Sequence, residues 1–162
     1  MYMQAALAAY ALSAVEKTLN VTAITSRSGE SVFECWALQP PLAEPFGGGA
    51  FNMSLGEVTK ASYTILPPHW DDGPHNAPAI QWVVFLSGLA HITIPHKNET
   101  VYIIGGTNGL IFAADVADVS ASGHVTAYPS EETSRVLQIP TLDGRIPAHD
   151  VLHEGPCNLL DM

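Results

Sequence analysis

The residues able to do chemistry gather in one stretch. It runs Pro67-Pro68-His69-Trp70-Asp71-Asp72-Gly73-Pro74-His75-Asn76-Ala77-Pro78-Ala79-Ile80-Gln81 and leads straight into the apolar segment Trp82-Val83-Val84-Phe85-Leu86. Two imidazoles and two carboxylates thus precede an apolar run that starts with a carboxamide. Imidazole, with an ordinary pKa of about 6.5, gives and takes protons near neutral pH. A polar side chain at the buried end of a strand needs a hydrogen-bonding partner, and a substrate carbonyl or hydroxyl is one such partner. The period of two along a strand puts Gln81, Val83 and Phe85 on one face and Trp82, Val84 and Leu86 on the other. Gln81 therefore sits at the mouth of whichever face is interior. The chemistry such a set supports is removal of one proton and delivery of another. The plainer alternative is a rim histidine at His75 and a solvated turn at Asp71-Asp72-Gly73.

The elements that must hold these residues read as β. From residue 31 the chain is a series of short apolar runs separated by Gly, Pro, Asn and Asp clusters, the pattern of a sandwich or barrel. Strands are expected at Ser31–Leu38, Ala50–Leu55, Ala61–Leu66, Gln81–Leu86, Ala90–Pro95, Thr100–Ile104, Gly109–Ala113, His124–Ala127 and Arg135–Ile139. The fifth and sixth form a hairpin around His96-Lys97-Asn98-Glu99. Residues 1–19 are Ala-rich and expected to be a short helix, 31–140 the barrel, and 141–162 an irregular tail wrapping the outside. His91, His96, His149 and His153 fall on the hairpin and the tail, away from this constellation.

Composition narrows the partners. The 162 residues suit one domain, and 47% hydrophobic against 14% charged residues can bury a large core. A net charge of -10 repels phosphate backbones and anionic membrane surfaces, so nucleic acid and membrane are excluded as partners. What remains is a protein expected to act on small molecules or other proteins. The two cysteines, Cys35 and Cys157, offer no metal knuckle, and two buried free thiols are favoured over one long-range disulfide. The opening MYMQAALAAYALSA lacks the basic start and small-residue cleavage pattern of a secretory signal, which favours the cytoplasm. Three N-glycosylation sequons, Asn20-Val21-Thr22, Asn52-Met53-Ser54 and Asn98-Glu99-Thr100, keep secretion as the alternative.

The spacing Gln81-x6-Gly88, with His75 six positions before Gln81, resembles the first motif of the cupin superfamily, with Gln where that motif has Glu. Ser122-Gly123-His124-Val125-Thr126 stands where the second motif supplies its histidine. The chain is more closely similar to small single-domain fungal cupins associated with secondary metabolism. That similarity rests on His75-Asn76-Ala77-Pro78, Asp118-Val119-Ser120-Ala121-Ser122-Gly123-His124 and Leu137-Gln138-Ile139-Pro140.

The resemblance implies an all-β jelly-roll barrel, the cupin double-stranded β-helix, as a single domain, commonly a homodimer. It brings His75, Gln81 and His124 together as the site. Two imidazoles and a neutral amide are a poor set for a divalent ion. The primary expectation is therefore a lyase, isomerase or cyclase without a cofactor, acting on an apolar natural-product intermediate. Tyr63, Val83, Phe85, Trp36 and Asp71 would line its pocket. The alternatives are a metal-dependent dioxygenase or decarboxylase holding Fe, Mn, Zn or Ni on His75, Gln81 and His124, with Asp71 or Asp72 completing the site, and a non-catalytic binding protein.

Overall fold

The computed structural model describes residues 17–162, and the chain there is all-β. Eleven strands are present among the described residues: β1 Asn20–Arg27, β2 Glu30–Leu38, β3 Ser62–Leu66, β4 Trp70–His75, β5 Gln81–Ser87, β6 Leu89–Thr93, β7 Thr100–Ile104, β8 Leu110–Ala113, β9 His124–Tyr128, β10 Ser134–Pro140 and β11 His149–Glu154. They form a seven-stranded sheet in the order β11-β2-β1-β8-β5-β10-β3 and a four-stranded sheet in the order β4-β9-β6-β7. All pairs are antiparallel except β1 with β8. No hydrogen-bonded ladder joins the two sheets among the described residues, so the architecture is a two-sheet β-sandwich that fits a jelly roll. Most of the helix expected over residues 1–19 lies outside the described residues. At 17–19, inside them, there is no helix and the chain runs directly into β1.

Two apolar layers hold the large sheet. Its inner face, with Ile24, Phe33, Val83, Phe85, Ile111 and Val136, packs on Ala90, Ile92, Ile103 and Tyr128 of the small sheet. Its outer face carries Val21, Ala23, Trp36, Leu38, Trp82 and Phe112, covered in part by Met53 and Leu55. β5 alternates as its sequence dictates, Val83 and Phe85 inward and Trp82 outward. The Trp82 indole N–H donates to the Leu55 carbonyl at 2.9 Å.

That contact explains why the strand expected at Ala50–Leu55 is absent. The apolar residues of this run cover the outer cluster, and its only strand-like pairing among the described residues is one bridge between Ala43 and Asn52. Three strands lie where none was expected. β1 is joined to β2 by the two-residue turn Ser28-Gly29, both at positive φ as a type I′ hairpin turn requires. β4 occupies the expected loop, and β11 the expected irregular tail, where it pairs with β2. The sandwich therefore extends from Asn20 to Glu154, beyond the expected 31–140. Cys35 and Cys157 form a disulfide, contrary to the expectation of free thiols. Pairing of β11 with β2 carries the tail back along Cys35, so residues distant in sequence meet with Cα atoms 4.6 Å apart.

Candidate functional site

A cavity of about 180 Å³ lies between the sheets. Both β3 and β4 contribute to its wall, through Thr64 and Leu66 on one and Asp72 and His75 on the other. These are the edge strands of different sheets, and the exposed Asp72 and Pro78 mark the mouth where the sheets part. The inner wall is apolar, with Ile24, Val83, Phe85, Ile92, Ile111 and Val136. Besides Thr64 and Asp72, the polar groups are His75, Gln81, His124, Thr126, Tyr128 and Gln138.

His75 and His124 are directly opposite each other in the β4–β9 ladder, with ring centroids 4.5 Å apart. A bulge between Asp71 and Pro74 creates this register, with Gly73 at positive φ and its N–H bonded to the Asp71 carboxylate at 2.8 Å. Proline in a strand is tolerated because β4 is an edge. On the other side Gly123 is needed twice over. Its φ is +62°, and a Cβ would lie 2.2 Å from the His75 carbonyl oxygen.

Each imidazole is fixed through Nδ1. His75 Nδ1 donates to the Gly73 carbonyl at 2.8 Å, and His124 Nδ1 donates to Asp115 Oδ2 at 2.7 Å. With a carbonyl and a carboxylate as the acceptors, a neutral ring at either position carries its basic lone pair on Nε2. Neither Nε2 has a protein partner among the described residues. Asp115 is fully buried and also accepts from Ser31 Oγ at 2.7 Å, while Ser31 Oγ lies 2.7 Å from Ser120 Oγ. Asn76 Nδ2 ties the connection after β4 to the same loop, donating to the carbonyls of Asp115 and Ser120 at 2.9 and 3.0 Å. Gln81, 3% exposed, opens β5 on the cavity wall.

Of the expected pocket residues, Val83 and Phe85 line the cavity and three others do not. Tyr63 is 53% exposed, because Thr64 and Leu66 take the inward positions of β3. Trp36 belongs to the outer cluster, where it stacks on His149 with ring centroids 3.7 Å apart. Asp71 is consumed in the bulge, and its neighbour Asp72 faces the cavity instead. Sequence reasoning missed Asp115 and Tyr128. Burial first, and the Asp72 charge second, raise the Tyr128 phenol far above its ordinary value, so it stays protonated as a hydrogen-bond donor.

No clear metal centre is formed by the described residues. Among the described residues the one group of three His, Cys, Asp or Glu side chains with ligand atoms within 4.8 Å of one another is Cys35, Cys157 and Asp161, whose sulfurs are tied in the disulfide. No carboxylate joins His75 and His124 at that range. No protein-family model matches the chain, and no curated protein matches it. Among solved structures the chain is similar to a conserved protein of unknown function from Streptococcus pyogenes. That match has 16% identity and a TM-score of 0.34, over 80% of this chain and 79% of the other.

Proposed function

We propose that this protein is a cupin-type enzyme that moves protons on a small, neutral, largely apolar molecule, as a lyase, isomerase or cyclase working without a metal. The observation that carries the reading is the facing pair His75 and His124, each held through Nδ1 on the wall of an apolar cavity. One Nε2 takes a proton from a carbon beside a carbonyl. The other, protonated beforehand, delivers a proton elsewhere on the same molecule, so the pair ends with its proton count unchanged. Gln81 and the neutral Tyr128 phenol hydrogen-bond the oxygen on which charge builds. Asp115 orients the His124 ring and balances its charge when it holds the proton.

The cavity sets the size and charge of the ligand. An apolar cavity of about 150 Å³ holds a benzene ring, so about 180 Å³ takes one ring, with larger substituents leaving past Asp72 and Pro78. No Lys or Arg lines it, and its wall carries the Asp72 carboxylate, so carboxylates and phosphates are disfavoured.

The test is solvent deuterium incorporation, followed by NMR, into a panel of single-ring ketones and enones. The native protein should accelerate exchange beside the carbonyl, and His75→Ala and His124→Ala should each lower the rate about 10²–10⁴-fold while binding persists. Unchanged exchange in both variants overturns the proton-transfer role. Tight binding across the panel without any acceleration makes the protein a container rather than an enzyme.

A further inference from the structure

Three sequons precede a Thr or Ser at the required spacing, but the fold treats their asparagines differently. Asn98 lies exposed in the connection between β6 and β7. Asn52 is exposed in the long connection between β2 and β3, and only its backbone is engaged, with Ala43. Neither side-chain amide makes a hydrogen bond among the described residues. Asn20 opens β1 opposite Ala37, its Nδ2 donates to the Asp161 carbonyl, and its Oδ1 is buried with no partner among the described residues. A sugar on that Nδ2 would have to displace the C-terminal segment that Cys157 fastens in place.

We propose that the folded protein carries N-linked glycans on Asn52 and Asn98 and none on Asn20. A second, independent observation points to the compartment in which that modification occurs. Cys35 and Cys157, both buried, are joined as a disulfide, and such bonds persist in oxidising compartments such as the secretory pathway. The surface around Asn52 also benefits from a solubilising group. Phe46 is 82% and Phe51 42% exposed in the same connection, and only 14% of the chain is charged. The inference depends on neither the cavity nor the chemistry proposed for it.

The experiment passes the full chain through a yeast secretory pathway behind a cleavable leader. The secreted, folded fraction is then mapped by mass spectrometry before and after endoglycosidase treatment, with alkylation to count free thiols. Glycopeptides at Asn52 and Asn98, an unmodified Asn20 and no free thiol are expected. Asn52→Gln with Asn98→Gln should remove all endoglycosidase-sensitive mass, whereas Asn20→Gln should remove none. Should those variants fail to be secreted, the native peptide map decides alone. A folded product unmodified at Asn52 or Asn98, one glycosylated at Asn20, or one secreted with free thiols overturns the proposal.

Discussion

Asp115 has a physical peculiarity that gives it a test of its own. Its Oδ2 binds His124 and Ser31, yet its Oδ1 is buried with no partner among the described residues. A buried carboxylate left half satisfied is costly for folding. Asp115→Asn removes the charge and keeps the volume, so stability should stay within about 1 kcal/mol of the native protein or rise. Exchange on the substrate panel should nonetheless fall about 10²–10⁴-fold, because an amide allows the wrong tautomer of His124. Urea unfolding and ¹⁵N NMR of the imidazoles check the two halves, the native ring showing Nδ1–H and the variant a mixture. His75 and Gln81 were legible in the sequence because a polar loop meeting an apolar strand is a local signal. Asp115 was not, since one carboxylate after Phe112-Ala113-Ala114 looks like any strand end until the fold brings Ser31 beside it. Tyr63 and Trp36 went astray because the choice of face along β3 and β2 depends on register, which one-residue slips invert.

At the level of elements, β2, β3 and β5 to β10 lay close to their expected positions, since each is an apolar run bounded by turn residues. β4 was hidden by its composition, Trp-Asp-Asp-Gly-Pro-His, which reads as a loop and becomes a strand only as the bulged edge beside β9. Ser28-Gly29 is a readable hairpin signal for β1, but the strand itself, Asn-Val-Thr-Ala-Ile-Thr-Ser-Arg, lacks a continuous apolar run. β11 carries a titratable latch. His153 Nδ1 faces the Glu154 carbonyl at 2.9 Å and Nε2 faces Asp161 Oδ2 at 3.0 Å, so only the doubly protonated ring satisfies both acceptors. The Glu154 carbonyl first, and Asp161 second, raise His153 above its ordinary 6.5. The backbone N–H of Asn158 first, and His153 second, lower Asp161 below 3.8. The His153 contribution is therefore complete below pH 6.5 and lost as pH rises through the raised folded value. The Asp161 contribution is complete above 3.8 and lost as pH falls through the depressed one. Amide protection factors at Asn158, whose N–H donates to Asp161 Oδ2, should hold between those limits and fall on either side. His153→Gln should flatten the alkaline fall and leave the acid one.

Across the whole molecule, the two long sides of the sandwich are finished differently. On one side β3 and β4 part and leave the cavity accessible past Asp72 and Pro78. On the other, β7 is the edge of the small sheet, and the segment around Cys157 to Met162 borders a surface cleft with Val101–Ile104 and Thr22. The Cys157 N–H donates to Thr22 Oγ1 at 3.0 Å, and the disulfide fastens this segment to β2. Sequence spacing favoured free thiols over a bridge, because cysteines 122 positions apart meet only through the return of β11 along β2. A bridge closing so long a loop constrains the unfolded chain strongly, and losing a native one typically costs about 2–5 kcal/mol. Cys35→Ala with Cys157→Ala should lower unfolding free energy by about that amount in urea titrations. The cavity is built from β3, β4, β5, β9 and their neighbours and shares no lining residue with the C-terminal segment. Ligand affinity and exchange rate measured well below the unfolding midpoint should therefore match the native protein. A loss of affinity in proportion to the loss of stability would instead mean that the bridged C-terminal segment holds the sheets at the spacing the cavity requires.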